Sequence, residues 1–295
     1  MNETERRNLA AQTADSIIDG FSTSVRRAAA LFESPKEAFE NLIAPEIESA
    51  LNVRLDVVGV SKKGYQGETR HIPYLLGIDG LLWEEAIRQM SAIAKKGNGK
   101  MFNPGDFIIL SVKVPEIKID GYTFATVNIT EARLVVTASY RNKIALNFEN
   151  VLFQGPVNKE CTNKGGFKAS LLARYLNEHF LPSVFKEVES LLKPNCDGLK
   201  VSVPTYSEVF GNDREGYDAT NWCEVGEKIR HPYFEKCTNR IKVREDDLND
   251  TWWWWLYEPH ATNANHFVKV DYSGNVNNSS ANNTSGGIAP AICIS

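Results

Sequence analysis

The sequence has no apolar stretch of the roughly 20 residues that a membrane-spanning helix requires. It also lacks the apolar core of a signal peptide, because the first seven residues are mostly polar or charged. We therefore expect a protein that is made in the cytoplasm, with no signal peptide and no membrane span. An excess of positive charge is missing as well. The formal net charge is −4, so no nucleic-acid partner is expected.

Cysteines and catalytic motifs are also scarce. The five cysteines include no Cys-x-x-Cys pair, so neither a zinc site nor a disulfide framework is expected. The five histidines are scattered, and no nucleophile elbow, HExxH, Walker loop or dinucleotide fingerprint occurs. The sequence therefore predicts a protein that is not an enzyme, with no catalytic residue, no metal and no cofactor.

What the sequence does contain begins with a helical segment, residues 1–98. Apolar side chains recur every three or four positions between Ile17 and Phe32. A second helix starts at Ser34, where an N-cap serine is followed by a proline and, three positions on, by a glutamate. A third helix is predicted from about Asp79, and the Lys- and Gly-rich residues 95–99 are typical of a linker. This segment either packs on the rest of the chain or serves for docking and oligomerisation.

The residue composition changes after residue 102. Runs of β-branched and aromatic residues follow, separated by turn residues. These runs predict an antiparallel meander with strands at 107–114, 124–129, 132–137 and 144–148. A helix is predicted over 168–192, with a kink at Pro182. Residues 199–203 are predicted to form a short strand, and the polar residues 212–250 a long loop with little regular structure. The last predicted strands are 252–256, 267–270 and 288–294.

Several short pieces recur here in a characteristic order. They are residues 102–106, 162–167, 203–211, 254–256 and 287–294. Together they resemble a family of lectin-like domains of uncharacterised function that is common in bacteria and their phages. The resemblance implies an α+β protein with a C-type-lectin-like domain over 99–295, similar to formylglycine-generating enzymes. Such a domain has a twisted antiparallel sheet and long loops that present a binding face.

Four consecutive tryptophans, Trp252 to Trp255, precede the most unusual part of the chain. In a strand, successive side chains face opposite sides, so two of the four are expected in the core and two outside. Trp254 and Trp255 are assigned to the core. For Trp252 and Trp253, packing and a contact with a ligand both remain open, since exposed tryptophans anchor sugars and protein partners.

Residues 258–283 are dense in asparagine, serine and histidine. Short amides and hydroxyls supply hydrogen bonds from loops at small entropic cost, as in antibody paratopes. This composition predicts a ligand-binding surface. Its candidate residues, with the tryptophan run included, are Trp253, Tyr257, His260, Asn263, Asn265, His266, Asp271, Tyr272, Ser273, Asn275, Asn277, Asn278, Asn282 and Asn283.

The same stretch resembles the variable region of proteins diversified by retroelements that mutate adenines. Histidine, aspartate, tyrosine and serine codons can be reached from an asparagine codon by adenine changes alone. Glu258 and Lys269 cannot, which fits a variable field set in a fixed frame. An ordinary asparagine-rich turn region is the alternative. Glu258-Pro259-His260 resembles the calcium-binding element of C-type lectins, but the six to eight oxygen ligands that calcium takes are not visible.

These observations favour a ligand- or receptor-binding protein displayed on a phage virion or bacterial surface. The expected partner is a cell-surface protein or glycan, and residues 1–98 are expected to mediate homo-oligomerisation or virion assembly. One alternative is a structural virion component, such as a decoration or tail protein. Another is a formylglycine-generating-type oxidase, for which Cys223 and Cys237 are the pair of interest.

Overall fold

The structure, a computed structural model, describes residues 69–76, 83–211 and 230–295. The helices predicted between residues 17 and 51 lie outside these ranges, as does Cys223. Across the described ranges, no helix is long and apolar enough to cross a membrane. The described residues form a mixed α+β structure in which strands predominate, as predicted.

The α-helices within the described residues are α1 (Ile72–Leu75), α2 (Trp83–Lys95), α3 (Leu171–Tyr175), α4 (Leu181–Val184) and α5 (Tyr206–Phe210). The strands there are β1 (Phe107–Val114), β2 (Ile117–Ile119), β3 (Tyr122–Phe124), β4 (Val127–Ser139), β5 (Ile144–Phe148), β6 (Phe153–Gln154), β7 (Val201–Ser202), β8 (Lys242–Arg244), β9 (Asp247–Trp252), β10 (Trp254–Pro259), β11 (His266–Val270), β12 (Val276–Ser280), β13 (Gly287–Ile288) and β14 (Ala291–Ile294). They form two five-stranded sheets and two hairpins.

The first sheet has the strand order β1-β4-β5-β14-β7, and all of its pairs are antiparallel. The predicted meander is confirmed for β1 and β5, whose bounds match those predicted from the sequence. The two strands predicted at 124–129 and 132–137 were wrong as separate elements, because β4 includes the second half of the first and all of the second.

The error has a physical origin in β4. Thr130 and Glu131 are exposed polar residues, so they have the composition of a turn. They lie instead inside the continuous strand, where the register between β1 and β4 shifts near Ser111. A bulge of this kind lets a strand accommodate extra residues without reversing direction.

Helix α2 packs its apolar stripe against the first sheet. Ala86, Ile87 and Met90 are buried in the same core as the sheet residues Leu146 and Ile292. The helix ends at Lys95, as predicted, with acidic residues in its first turn and this lysine in its last, which favours the helix dipole. Residues 83–95 therefore share a core with the residues that follow them. The proposed division of the chain at residues 98 and 99 stays a prediction.

The helix predicted over 168–192 is present as a series of short segments. Helix α3 is followed by a π-helical turn (Leu176–Phe180), then by α4 and by a 3₁₀ segment (Lys186–Leu191). The π turn directly precedes α4, whose second residue is Pro182, where the kink was predicted. The residues predicted to face inward are all buried: Leu171, Leu172, Tyr175, Leu176, Phe180, Phe185, Val188 and Leu192.

The second sheet has the strand order β12-β11-β10-β13-β6. Strand β10 is buried along its whole length. Trp255 and Tyr257 join the main core, whereas Trp254 and Leu256 join a second apolar cluster that includes residues of α5 and Phe234. Side chains alternate across the strand as expected, but both faces are covered.

Three expectations about the C-terminal strands were wrong. The strand predicted at 252–256 is divided at Trp253 between β9 and β10, and the one predicted at 288–294 is divided between β13 in the second sheet and β14 in the first. The loop predicted over 212–250 contains the hairpin β8–β9. Strand β12 was missed. Strands β9 and β12 are mostly polar and lie at the surface, so hydrophobic patterning does not reveal them.

Candidate ligand-binding site

The asparagine-rich residues lie along the outer edge of the second sheet. Strand β12 pairs in register with β11, from His266 opposite Ser280 to Val270 opposite Val276. Behind this edge, Phe267 is buried in the main core and Val268 in the second cluster. A polar rim is therefore supported on both faces by closely packed apolar residues.

Three of the candidate side chains shape turns of this rim. The Oδ1 atom of Asn263 accepts the N–H of Asn265 at 3.0 Å, and that of Asn283 accepts the N–H of Ser285 at 3.0 Å. The Oδ1 atom of Asp271 accepts two N–H groups, from Ser273 and Asn275, at 2.9 Å each. Asparagine and aspartate are favoured in turns for this reason. Part of the asparagine content is thus explained by backbone geometry.

His266 and Asn278 form a contact across the strand pair. The Nδ1 atom of His266 lies 2.6 Å from Oδ1 of Asn278, and its Nε2 atom lies 3.4 Å from Oγ of Ser280. The ring of His260 is 6.5 Å from that of His266, and its Nδ1 atom accepts the N–H of Thr262 at 3.2 Å. Partial burial lowers the pKa of His260, and the electrostatic effect of the nearby His266 lowers it further. Both imidazoles thus belong to one polar patch.

The remaining candidates on the rim project into solvent. Tyr272 is 48% exposed, and its ring meets that of Trp252 edge-on, with 5.9 Å between centroids. Trp252 itself is fixed by a 2.8 Å hydrogen bond from Nε1 to the carbonyl of Ser285. The other exposed candidates are Asn265, Ser273, Asn275, Asn277 and Asn282.

Trp253 and Tyr257, which the sequence predicts as ligand-binding residues, do not lie on this rim. They are 4% and 5% exposed. Trp253 packs edge-on against Trp255, with Nζ of Lys269 lying 4.1 Å from its ring centroid. The hydroxyl of Tyr257 hydrogen-bonds to the carboxylate of Asp197. Of the two tryptophans left open, it is Trp252 that lies next to the exposed side chains.

The Glu258-Pro259-His260 element is not arranged for an ion. Glu258 is buried, and its Oε2 atom accepts the N–H of Tyr206 at 2.6 Å, while Oε1 has no hydrogen-bond partner among the residues that the structure describes. Burial raises the pKa of Glu258 to about 8. Within the described ranges, no group of three or more His, Cys, Asp or Glu side chains converges as metal ligands do.

A second feature is a cavity of about 690 Å³ on the first sheet. Its floor consists of the small or polar side chains that point away from the core, namely Ala145, Asn147, Ser202, Ala291 and Cys293. They alternate with core residues such as Leu146 and Ile292. The cavity was not predicted from the sequence, because its lining comes from several separate segments. The alternation of small and large residues in β5 and β14 is the signal that could have indicated it.

His231 closes one side of the cavity. Its Nδ1 atom lies 2.9 Å from Oγ1 of Thr137, and its Nε2 atom lies 3.7 Å from Oε1 of Glu208. Burial lowers the pKa of His231 despite the opposing effect of Glu208. Burial also raises the pKa of the Cys293 thiol to about 11. The thiol is therefore protonated at neutral pH, whereas a nucleophilic cysteine needs the thiolate.

Sequence comparison connects this region to one family. A family model described as "Domain of unknown function (DUF6273)" matches residues 141–295, just over half of the chain. The chain belongs to this family. The DUF6273 region starts after β4 and contains β5 to β14, so it includes the whole second sheet, the asparagine-rich edge and the cavity floor. No curated protein and no solved structure matches the chain.

Proposed function

We propose that this protein binds an external macromolecule through the outer edge of its second sheet. This recognition edge comprises β12 and the turns at residues 260–265, 271–275 and 281–285. The proposal rests on a difference in role between the candidate side chains of this edge. Asn263, Asp271 and Asn283 fix the turns, whereas six other candidate side chains are exposed. A fixed backbone lowers the entropic cost of binding for the side chains that it carries.

Tyr272 is the residue of the recognition edge that we expect to contribute most to the binding energy. An exposed tyrosine offers a large, rigid contact area with a polar tip, which is why such residues dominate binding energy in many interfaces. The edge-on contact with Trp252 restricts its ring before any ligand arrives. The polar side chains around it supply adaptable hydrogen bonds, as in paratopes.

The two residues that adenine mutation cannot produce support a variable field in a fixed frame. Glu258 is buried, and Lys269 is half-buried with its ammonium against Trp253. The exposed side chains of the recognition edge are asparagine, serine, tyrosine, threonine or alanine, all of which asparagine codons reach by adenine changes. We therefore extend the proposal to a retroelement-diversified surface. Nearby DNA that carries a near-copy of the codons for residues 257–288, differing only at adenines, would establish it.

The proposal includes a C-type-lectin-like fold for residues 99–295 and display on a phage virion or bacterial surface through residues 1–98. The mostly polar strand β12 at the end of a sheet, flanked by irregular loops, is consistent with such a binding face. Single contacts of this kind are modest, so display in several copies would raise the effective affinity. The partner is a cell-surface protein or a glycan.

The binding test uses the full chain against a glycan array and against bacterial cells. Tyr272→Ala together with Asn275→Ala should reduce binding at least tenfold while leaving the melting temperature unchanged, because both side chains are exposed. The matched control is Glu116→Ala with Lys118→Ala, two exposed residues outside the recognition edge. Equal binding by both double variants would contradict the proposal and favour an assembly role.

A further inference from the structure

The cavity on the first sheet is a second candidate ligand site, separate from the recognition edge. Its volume of about 690 Å³ falls within the roughly 300–1,000 Å³ typical of small-molecule sites. The lining shares no residue with the recognition edge. Small or polar side chains of β5 and β14 form its floor, and aromatic residues, including Phe234 and Tyr257, form part of its walls.

The charged side chains around the cavity are predominantly lysines. Lys95, Lys143 and Lys193 all line it. In the part of the chain that the structure describes, none of the three has a carboxylate within ion-pair distance. A fourth lysine, Lys200, is already paired with Glu189 at 2.9 Å. Three ammonium groups are therefore available to a ligand.

Lys143 and Lys193 both line the cavity beside the C-terminal end of β14. Lys143 follows the turn between β4 and β5, with its Nζ atom 4.4 Å from the ring centroid of Tyr140. The backbone N–H of Lys193 donates to the carbonyl of Cys293 at 2.8 Å. The charges of both lysines act on the Cys293 thiol and lower its pKa, against the larger effect of burial. Lys143 directly precedes Ile144, which pairs with Ile294, so both lysines adjoin the same end of β14.

The carboxylate of Glu208, which also lines the cavity, is already engaged. Its Oε2 atom accepts the N–H of Thr205 at 2.7 Å, where it completes the capping box of α5. Its Oε1 atom faces His231. The side chains of Asn142 and Ser202 are neutral and line the same space, so they can hydrogen-bond to an oxygen-rich ligand.

We propose that this cavity binds a small organic oxyanion, whose phosphate or carboxylate group is held by Lys143 and Lys193. Ammonium groups are effective point charges for such anions. The hydroxyl-bearing body of the ligand lies against the polar side chains and the aromatic walls. A sugar phosphate and a sugar acid both satisfy this chemistry.

The test is calorimetric titration of the full chain at low ionic strength with three probes: glucose 6-phosphate, glucuronate and uncharged glucose. At least one of the two anions should bind saturably, and glucose should not. Lys143→Met combined with Lys193→Met should weaken the anion at least tenfold. Lys118→Met, an exposed lysine outside the cavity, should leave its affinity unchanged. The two anions distinguish a phosphate ligand from a carboxylate ligand.

A second readout locates the ligand. Cys293 is partly accessible at the cavity floor, whereas Cys161 is exposed elsewhere. A saturating concentration of the bound anion should slow alkylation of Cys293 several-fold and leave Cys161 unaffected, measured peptide by peptide in mass spectrometry. Absence of saturable binding by both anions, or equal binding by the double variant, would overturn the proposal. So would alkylation of Cys293 at the same rate with and without ligand.

Discussion

The Nζ atom of Lys242 lies 2.9 Å from Oδ1 of Asn147, and this buried contact ties the sheets together. Lys242 also donates to the carbonyls of Phe148 and Glu149, and its ammonium lies 4.8 Å from the ring centroid of Trp254 in the second sheet. The amide of Asn147 donates to the carbonyls of residues 289 and 290, where the chain crosses between the sheets. All of these partners are protein groups.

Replacing Asn147 with alanine tests this network. The change removes the donor of the buried carbonyl of Ala289 and leaves Lys242 with one acceptor fewer, whereas the carbonyl of Pro290 still accepts the N–H of Phe148. Each unsatisfied group costs about 1–3 kcal/mol. We expect the free energy of unfolding, measured by urea denaturation, to fall by about 2–4 kcal/mol. Asn142→Ala removes an exposed amide of the same size and should change the value by less than about 0.5 kcal/mol. Equal effects would show that the network is unimportant.

The buried Glu258 makes stability depend on pH. Burial raises its pKa to about 8 in the folded protein, against an ordinary value of 4.5. Between these values the folded state holds a proton that the unfolded state has lost, so this contribution to stability declines as the pH rises. Glu258→Gln keeps the shape and removes the titration. Its melting temperature relative to the wild type should therefore increase between pH 5 and pH 8.5.

The comparison has to be between variant and wild type at each pH. Burial lowers the pKa of Lys242 to about 7, so its contribution rises with pH over part of the same range. This second effect is common to both proteins and cancels in the difference. Glu116→Gln, at an exposed position, is the control. If the curves for Glu258→Gln and the wild type run parallel, Glu258 is not the titrating group.

Two side chains of the turn at residues 271–275 should differ in their contribution to the free energy of unfolding. Asp271→Ala removes the acceptor of two backbone N–H groups and should cost about 1–2 kcal/mol of unfolding free energy. Asn275→Ala removes an exposed amide and should be nearly neutral. Chemical denaturation measures both. A neutral Asp271→Ala variant would mean that this turn does not depend on its side chain.

Much of the fold could be predicted because large apolar residues recur with a clear period. The burial of all eight inward-facing residues between Leu171 and Leu192 follows from that period. The polar strands β9 and β12 could not be found in this way, since their hydrogen bonds come from the backbone and their side chains face solvent. The implied C-type-lectin-like fold stays a prediction.

The sequence indicates which residue types the candidate site contains, but not which of them are exposed and which are buried. Trp253 looked available because alternation normally leaves one face of a surface strand exposed. The faces of the second sheet are instead covered on both sides, by the main core and by the cluster around Trp254. Trp253 itself lies in the main core, and the residues of both clusters come from segments that are distant in sequence. For the same reason, no local pattern could reveal that Lys143 and Lys193 line one cavity.

We propose that the recognition edge is a fixed frame that carries replaceable side chains. The most direct measurement is a display library in which Asn265, Tyr272, Ser273, Asn275, Asn277 and Asn282 are randomised together and sorted by resistance to proteolysis. We predict that most members stay folded, whereas a matched library at Asn263, Asp271 and Asn283 is largely cleaved. Cleavage of most members of the first library, or equal survival of the two, would contradict the account.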